Sequence, residues 1–445
     1  MTLKDSRRIL VWGLGISGKS VIALAHFWGL EAWGVDDKIE MGHVLPAGKF
    51  IASKDITFEW IQTQQFHQIV ISPGVPKTNE IIAECLKQKI PVLGEMEFAN
   101  QKCSIPIYAV TGTNGKSTTV HMLRDALRLL GKKPFLGGNV GIPFCDYYLD
   151  PHFSDYDCVV LEVSSFQCEG LVALKPKIAG ILNLSESHME RYASLSEYAL
   201  AKILLFKNMN SDDTVILPEF QQQFFYSFLN KIPPKVVYYG ASEMAALDFS
   251  HARVVGKHNQ ENFSFVFKML SEVFDPQEAR EAVQTLIGRF EAIEHRLEPC
   301  GEYLETSFYN DSKSTNIKSA LTAVESFSEY SPDFERWLII GGKRRSSDFT
   351  FLNHLKDHPQ ITGFFCIGEC FEECAKALAT QNKKVYSVKN LENVFLSLKD
   401  QGIFPENKKR IIILTPAFPS YDQYKNFEER GKHFKKLVHV FINQK

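Results

Sequence analysis

The chain has 445 residues, of which 50 are lysine or arginine and 52 are aspartate or glutamate, so its formal net charge is −2. At roughly 150 residues per domain this length predicts about three domains, and the balanced charge argues against a dedicated nucleic-acid binder. Hydrophobic residues make up 44% and charged residues 23%, and no apolar run approaches the ~18 residues that span a bilayer, which predicts a folded cytoplasmic protein rather than a disordered or membrane protein.

Three strands that run into glycine turns divide the chain into thirds. Residues 8–12 precede Gly13, residues 107–110 precede Thr111–Lys116, and residues 337–340 precede Gly341-Gly342. Continuous apolar runs are typical of parallel strands that are covered by helices on both faces. Further runs of this kind occupy residues 68–72, 158–162, 178–183, 214–217, 363–367 and 410–415. Because helical segments alternate with these strands, the chain is predicted to be α/β throughout.

Two segments are candidate domain boundaries. Residues 100–106 are polar, contain a proline and precede the second strand-turn unit. Residues 296–301 separate a helical stretch from a strand-like run at 303–309. We therefore predict domains at 1–100, 101–297 and 298–445, with an error of several residues at each boundary.

The first glycine turn, Gly13-Leu14-Gly15-Ile16-Ser17-Gly18, matches the dinucleotide-binding fingerprint, and Asp36 follows the next apolar strand. Such a turn brings backbone N–H groups and a helix N-terminus up to a diphosphate. The motif alone leaves three alternatives open: NAD, another nucleotide, or tight packing without a ligand.

The second turn indicates an ATP site. Gly112, Asn114 and Gly115-Lys116-Ser117 lie between a buried strand and a helical pattern, although Val110 stands where a full phosphate-loop motif has its leading glycine. Backbone donors in such a loop wrap the β-phosphate, the lysine reaches the β- and γ-oxygens, and the serine hydroxyl binds Mg²⁺. The alternative is a helix start that carries Gly-Lys-Ser by coincidence.

Candidate metal ligands follow the phosphate loop. Glu162 ends one predicted strand and His188 comes soon after another, so both reach the carboxyl edge of the sheet, where α/β proteins bind ligands. Each alone would be interpreted as a hydrogen-bonding surface group. Lys202 lies between apolar neighbours, which by itself predicts a surface lysine with its stem packed and its amine in water. These residues indicate an ATP- and Mg²⁺-dependent phosphoryl-transfer enzyme: a ligase, a kinase or an ATPase.

Across nearly its whole length the chain resembles the Mur ligase family, and within it the branch that adds D-glutamate. The resemblance rests on ordered motifs, which are Gly13–Gly18, Ser72-Pro73-Gly74, Val110–Thr118, Gly137–Gly141, Glu162–Gln167, His188–Tyr192, Gly256–Asn259, His295-Arg296, Asn310–Asn316, Gly341-Gly342, Ser420–Tyr424 and Asn426-Phe427.

The resemblance implies a Rossmann-like N-terminal domain for the UDP substrate, a central ATP-binding domain of the P-loop type and a Rossmann-like C-terminal domain for the amino acid. The implied reaction joins D-glutamate to UDP-N-acetylmuramoyl-L-alanine through an acyl phosphate, in a monomeric cytoplasmic enzyme that binds neither nucleic acid nor a membrane. Lys116, Glu162, His188 and Lys202 are the implied catalytic residues.

The resemblance also assigns binding residues. It implies that Lys202 is carbamylated by CO₂ and that two Mg²⁺ ions are held by Ser117, Glu162, His188 and Lys202. The implied ATP site consists of Gly112, Thr113, Asn114, Gly115, Lys116, Ser117, Thr118, Asn259, Arg296 and Asp311. The implied UDP-substrate site consists of Gly13, Leu14, Gly15, Ser17, Asp36, Asp37, Ser72, Pro73, Gly74 and Asn139. The implied D-glutamate site consists of Lys313, Arg345, Ser420 and Phe427.

The C-terminal loop departs from the family pattern. It reads Gly341-Gly342-Lys343-Arg344-Arg345 where the family has a single lysine, and we align Arg345 with that lysine. The alternative is a solvated basic loop in which Lys343 or a backbone group contacts the amino acid. Two rival functions also remain: another ATP-dependent amide ligase, such as a sibling Mur enzyme or folylpolyglutamate synthetase, and an NAD-dependent oxidoreductase.

Nine cysteines without a repeating frame predict reduced thiols rather than a disulfide scaffold. Cys366, Cys370 and Cys374 are spaced four apart, which raises the question of a metal site. Cys366 closes an apolar run that is typical of a strand, so the three are not expected to share one helix. The spacing also lacks the C-x-x-C pairs of common zinc sites. We therefore do not predict a metal there.

Overall fold

The structure is a computed structural model that describes residues 7–38, 45–46, 48–76, 78–189, 191–229, 234–328, 333–344, 347–400 and 408–443. It divides into two compact units, one made of residues 1–249 with 261–287 and the other of residues 250–260 with 288–445. The described residues form three sheets of mainly parallel strands, two in the first unit and one in the second. The predicted α/β class is confirmed.

The first sheet is entirely parallel. Its strands are β1 (Arg8–Trp12), β2 (Glu31–Asp36), β3 (Phe50–Ala52), β4 (Gln68–Ile71) and β5 (Val92–Gly94), in the order β3-β2-β1-β4-β5. The chain moves outward from β1 to β3 and then returns to the other side of β1 as β4. A crevice therefore opens beyond the carboxyl ends of β1 and β4, as it does at a switch point of any doubly wound sheet.

The second sheet is also parallel. Its strands are β6 (Ile107–Thr111), β7 (Pro134–Gly138), β8 (Cys158–Glu162), β9 (Ile178–Ile181), β10 (Thr214–Pro218) and β11 (Lys235–Tyr239), in the order β11-β10-β9-β6-β8-β7. The prediction that β9 continues to residue 183 is wrong. The chain leaves the sheet after Ile181 because Asn183 turns to pair with the phosphate loop: its carbonyl oxygen accepts the N–H of Thr113 at 2.9 Å.

The third sheet lies in the second unit. Its strands are β12 (Glu298–Tyr303), β13 (Thr306–Asn310), β14 (Glu335–Gly341), β15 (Ile361–Ile367), β16 (Lys384–Lys389) and β17 (Arg410–Leu414), in the order β12-β13-β17-β14-β15-β16. The prediction of one strand over residues 303–309 is wrong, since β12 and β13 form an antiparallel hairpin. Leu304 and Glu305 form its two-residue turn, with φ of 43° and 58°. Positive φ at both positions is typical of the turns that connect two-residue hairpins.

Helices cover the faces of the sheets, and α5, for example, packs against β7 and β8. The helices are α1 (Ile16–Phe27), α2 (Phe58–Gln64), α3 (Glu80–Lys87), α4 (Glu95–Asn100), α5 (Lys116–Leu129), α6 (Asp146–Leu149), α7 (Ser165–Cys168), α8 (Leu195–Ile203), α9 (Gln222–Leu229), α10 (Ala241–Ala245), α11 (Lys257–Ser271), α12 (Pro276–Ile287), α13 (Ile317–Glu325), α14 (Asn353–Lys356), α15 (Phe371–Leu378), α16 (Leu391–Asp400) and α17 (Phe427–Asn443). Within the described segments, none has the length and apolar character needed to cross a membrane.

All nine cysteines lie among the described residues, and each is a thiol outside any disulfide. Cys366 lies on β15, Cys370 precedes α15 and Cys374 lies within that helix. The three residues therefore do not share one helix, as predicted. The Sγ atoms of Cys370 and Cys374 are 3.6 Å apart, and the Cys370 thiol donates to the Gly342 carbonyl at 3.2 Å.

Candidate active site

Two loops meet beyond the carboxyl ends of β1 and β4. The Ser72 hydroxyl donates to the carbonyl oxygen of Gly13 at 2.7 Å. Gly18, in the first turns of α1, packs so closely that a Cβ there would lie 2.0 Å from the same oxygen. Any larger residue would push α1 away from the loop, which is the packing role of the third glycine in a dinucleotide-type turn. Gly15 and Ser17 thus present the start of α1 to the crevice, together with Pro73 and Gly74 from the second loop.

Asp36 acts first on the glycine turn itself. Its carboxylate accepts the backbone N–H of Leu14 at 2.6 Å and that of Lys38 at 3.0 Å. The residue at the end of β2 therefore holds the turn in place, while the neighbouring Asp37 is exposed to solvent. Sequence reasoning assigned both aspartates to the UDP substrate without this distinction.

The phosphate loop connects β6 to α5. Gly115 has φ of +82°, and a Cβ at this position would lie 2.7 Å from Oδ1 of Asn262, so the turn requires glycine. Lys116 and Thr118 lie in the first turn of α5, and the Lys116 amine donates to the carbonyl oxygens of Gly112 and Thr113 at 3.0 and 2.9 Å. The lysine is thereby held against the loop that would wrap a phosphate.

Glu162 joins three strand ends of the second sheet. Its Oε2 accepts the Ser117 hydroxyl at 2.5 Å, and its Oε1 accepts the Asn139 amide at 2.7 Å. Its side chain is buried, which excludes the alternative of a surface group for Glu162. The first turn of α5, the end of β8 and the residue after β7 thus converge on one carboxylate.

Lys202 is 1% exposed, so the prediction of a surface lysine from its neighbours is wrong. Its amine donates to Gly112 O at 2.9 Å and to Thr111 Oγ1 at 3.4 Å, and it lies 4.5 Å from the ring centre of Tyr198. Burial, and secondarily the positive charge of Lys116, lowers the pKa of Lys202 to about 7. A substantial fraction of this amine is therefore neutral near pH 7.

His188 lies in a left-handed turn with φ of 58°, a conformation that is costly for a residue with a side chain. Its carbonyl oxygen accepts the N–H groups of Arg191 and Tyr192 at 2.9 and 3.1 Å. Its ring lies 4.9 Å from that of Phe166 and 6.4 Å from that of Tyr198. Tyr198 therefore packs beside both Lys202, one turn further along α8, and His188, which lies in the loop before that helix.

A cavity lies within the first unit, lined by Ile71, Ser72, Pro73, Val75, Gly94, Glu95, Met96, Glu97, Phe166, Gln167, Glu169, Gly170, Leu171 and Arg191. Burial raises the pKa of Glu95 to about 7. Sequence reasoning did not assign Gln167 or Arg191 a binding role, although both belong to motifs on which the resemblance rests. Ser72 and Gln167 therefore line the same cavity.

In the second unit, Asp311 follows β13 and is partly buried. Burial raises the pKa of Asp311 to about 7, against the opposing charge of Arg296. Its carboxylate accepts the N–H of Leu297 and the hydroxyl of Thr415, both at 3.3 Å. Asn259 is also buried, and its amide donates to Val255 O at 2.7 Å.

The residues predicted for D-glutamate come from loops after neighbouring strands of the third sheet. The Lys313 amine lies 5.0 Å from the ring centre of Phe427. Ser420 is buried, and the preceding Pro419 accepts the N–H of Lys343 at 2.8 Å. The loops after β14 and β17 are therefore adjacent. Arg345 lies outside the described residues.

Arg430 was missed by sequence reasoning, although it follows the Asn426-Phe427 motif by three residues. It is 1% exposed. Its guanidinium donates to Ser312 Oγ at 3.0 Å, to Ser312 O at 2.8 Å and to Phe418 O at 3.2 Å. It therefore ties the loop that follows β13 to the loop that follows β17.

His295, like Arg430, makes hydrogen-bonded contacts within the second unit. The Asn310 amide donates to its Nδ1 at 2.9 Å. Glu294 and Glu298 lie close enough to His295 to suggest a metal site. The Lys435 amine, however, is already paired with both carboxylates.

Comparison with known proteins places this geometry in a family. Residues 110–293 match the family model of the Mur ligase middle domain. The UDP-N-acetylmuramoylalanine–D-glutamate ligase of Enterococcus faecalis is 32% identical and that of Koribacter versatilis 31% identical, each with 98% of both chains covered. Among solved structures, the UDP-N-acetylmuramate–alanine ligase MurC of Thermotoga maritima superposes with a TM-score of 0.57 at 16% identity, over 98% of this chain and 99% of the other. MurF of Acinetobacter baumannii gives 0.57 at 14% identity, over 87% and 88%. These structures share the fold.

Proposed function

This chain belongs to the Mur ligase family, and from that membership we propose that it joins D-glutamate to UDP-N-acetylmuramoyl-L-alanine in peptidoglycan precursor synthesis, consuming ATP. The observation that carries the proposal is the convergence on the phosphate loop: Glu162 receives the Ser117 hydroxyl, and Lys202 and Lys116 share one loop carbonyl. A phosphate loop backed by a buried carboxylate and a second buried amine is suited to phosphoryl transfer.

The reaction has two steps. The alanine carboxylate of the UDP substrate attacks the γ-phosphorus of ATP, which breaks the bond to the β-phosphate oxygen and yields an acyl phosphate and ADP. The amine of D-glutamate then attacks the acyl carbon, phosphate leaves, and the amine loses a proton. Because both partners of the first step are anions, cations must offset their repulsion, and Lys116 is placed to do so.

The donor groups around the phosphate loop suit magnesium. Mg²⁺ prefers oxygen ligands, and the Glu162 carboxylate and Ser117 hydroxyl lie 2.5 Å apart at one strand end. We assign Ser117, Glu162, His188 and the carbamate of Lys202 to two Mg²⁺ ions, which when bound would neutralise phosphate charge. The pKa of Lys202 near 7 supports the carbamate, since only a neutral amine attacks CO₂.

The crevice beyond β1 and β4 is proposed to hold UDP. The glycine turn and the Ser72-Pro73-Gly74 loop meet there. Asn139, near the phosphate loop, is proposed to contact the same substrate. The cavity lined by Ser72, Phe166, Gln167 and Arg191 is proposed to take the muramoyl-alanine portion.

The second unit is proposed to supply the amino-acid site. D-glutamate carries two carboxylates, so its pocket needs cations and hydroxyl donors. Lys313, Arg345 and Ser420 fit that need, with Phe427 as an apolar wall, and Asn259, Arg296 and Asp311 are assigned to ATP. The three-domain division at 1–100, 101–297 and 298–445, the cytoplasmic location and the monomeric state belong to the same proposal.

Phosphate release from ATP tests the function. We expect release only when UDP-N-acetylmuramoyl-L-alanine and D-glutamate are both present. Release with a different amino acid, or without the UDP-sugar, would assign the chain to another amide ligase. Quenching of nicotinamide fluorescence by the protein without phosphate release would favour an oxidoreductase instead.

A further inference from the structure

Side chains from other segments form hydrogen bonds with the backbone of the segment between β9 and His188. After Ile181 the chain leaves the sheet, yet the backbone groups of residues 182–185 remain paired. The Leu182 carbonyl accepts the Tyr239 hydroxyl at 2.5 Å. The Ser185 N–H donates to Thr113 Oγ1 at 3.0 Å, and the same hydroxyl donates to the Ser185 carbonyl oxygen at 3.2 Å. Backbone groups of Thr111 and Thr113 still pair with Leu182 and Asn183 on one side of this segment, and side chains provide the remaining hydrogen bonds.

Gln221 provides two of these side-chain hydrogen bonds. Its Oε1 accepts the N–H of Leu184 at 2.9 Å, and its Nε2 donates to the C=O of Leu184 at 2.8 Å. The residue ends a one-turn helix, Glu219–Gln221, that directly follows β10. A carboxamide offers a donor and an acceptor side by side, as a strand backbone does. Gln221 thus extends the pairing of β10 with β9 beyond the end of both strands.

The opposite side of the segment is fastened to the phosphate loop. The Asn183 side chain accepts the N–H of Asn114 at 3.0 Å and donates to the C=O of the same residue at 3.2 Å. Residues 183–185 are therefore held between the phosphate loop on one side and Gln221 on the other. If Gln221 is removed, only the phosphate-loop side and Tyr239 still fasten the described part of this segment.

We propose that Gln221 is a positioning residue that sets the location of His188 relative to the phosphate loop. His188 lies four residues beyond Leu184 in a left-handed turn that its surroundings must maintain. Thr113 holds Ser185 from the phosphate-loop side, and Gln221 holds the adjacent Leu184 from the β10 side, so the stretch that leads into this turn is fixed on both sides. This inference rests on the proposed function, in which His188 is a magnesium ligand, and it adds a residue to which neither the motifs nor the comparisons assign a role.

Gln221→Ala is the decisive variant, with Gln223→Ala as its control. Gln223 is the same residue type two positions away and is exposed on α9. We expect the Mg²⁺ concentration for half-maximal turnover to rise by roughly 10-fold and kcat to fall by about 10- to 100-fold in Gln221→Ala. The KM for D-glutamate should be unchanged. Binding of Mn²⁺ to the enzyme with ADP, followed by electron paramagnetic resonance, should weaken in parallel.

Gln221→Glu covers the case in which the alanine variant does not fold. Glutamate keeps the length and the acceptor for the Leu184 N–H but has no donor for its C=O, so Mn²⁺ binding should again weaken. Wild-type Mg²⁺ dependence and Mn²⁺ affinity in the folded variants would overturn the inference, even if their melting temperature fell. If the wild-type protein bound Mn²⁺ but released no phosphate with both substrates, the proposed function would fail, and the Mn²⁺ comparison would still decide the role of Gln221.

Discussion

Lys116 and Lys202 donate hydrogen bonds to the same acceptor, the carbonyl oxygen of Gly112, at 3.0 and 2.9 Å. Two ammonium groups on one oxygen repel each other, and Lys202 is the more deeply buried of the two residues. Burial, followed by the charge of Lys116, lowers the pKa of Lys202 to about 7. The pair therefore combines one lysine cation with a neighbouring amine that is easily deprotonated.

Lys116→Ala should nearly abolish phosphate release, by about 10³-fold or more, because the charge that develops on the β- and γ-phosphates loses its fixed cation. Calorimetric titration should show unchanged affinity for the UDP substrate, since that site is assigned to the crevice beyond β1 and β4. Lys132→Ala, which removes an exposed lysine of the same unit, should retain activity. Lost UDP-substrate affinity with preserved ATP turnover would reverse the assignment of the two nucleotide sites.

Lys202 should carry a carbamate when CO₂ is present. With ¹³C-labelled bicarbonate, we expect a carbamate carbonyl resonance in the wild-type protein and in Lys132→Ala, and none in Lys202→Ala. The resonance should strengthen as the pH rises through about 7, because the neutral amine is the form that reacts with CO₂. An unmodified Lys202 in a fully active enzyme would exclude this role.

Glu162→Gln should lower kcat by about 10²-fold and raise the Mg²⁺ requirement. The new amide must turn a donor toward either Ser117 or Asn139, both of which already donate to this position, so the loop loses a hydrogen bond as well as a charge. Glu186→Gln, at an exposed glutamate near His188, is the matched control. Equal Mg²⁺ titrations for the two variants would remove Glu162 from the metal site.

Asp311 should make stability depend on pH. The folded pKa of Asp311 is about 7 and the usual value is 3.8. The folded state thus holds its proton more tightly, and the stability this contributes is complete below about 4 and is lost as the pH rises through about 7. Between pH 5.5 and 8.5 the loss is on the order of 2 kcal/mol.

Asp311→Asn, which stays neutral, should therefore gain in unfolding free energy relative to wild type over that pH interval, as measured by denaturant titration. Asp357→Asn, at an exposed carboxyl of the same unit, should follow the wild-type profile. Parallel profiles for wild type and Asp311→Asn would show that Asp311 is ionised throughout.

Arg345→Ala should raise the KM for D-glutamate by about 10- to 150-fold, since a lost charge-assisted hydrogen bond costs roughly 1.5–3 kcal/mol. The KM values for ATP and the UDP-sugar should stay nearly constant. Lys343→Ala is the matched control, because Lys343 is paired with Glu369 at 2.8 Å. An unchanged KM in Arg345→Ala together with a raised KM in Lys343→Ala would move the contact to Lys343.

Structural features that depend on residues adjacent in sequence were predicted correctly. Strand β8 was predicted with its observed ends, because a parallel strand that is covered on both faces consists of an unbroken run of apolar residues. The turn between β6 and α5 was predicted from Gly115-Lys116-Ser117 between a buried strand and a helical pattern, and Gly115 does take the left-handed backbone that glycine permits. Roles within the site, such as the carbamate on Lys202, came from the resemblance to a family and not from these local rules.

Features that depend on distant residues could not be predicted in this way. Lys202 has the local sequence of a surface lysine, and it is buried because Thr111 and Gly112, some 90 residues earlier, lie against its amine. The pairing of Gln221 with Leu184 likewise joins two loops that follow different strands. Periodicity and turn propensity report the conformation of a short segment. Burial, pKa and hydrogen-bond partners are set by whichever segments the sheet order brings alongside it, and that order is a property of the folded chain.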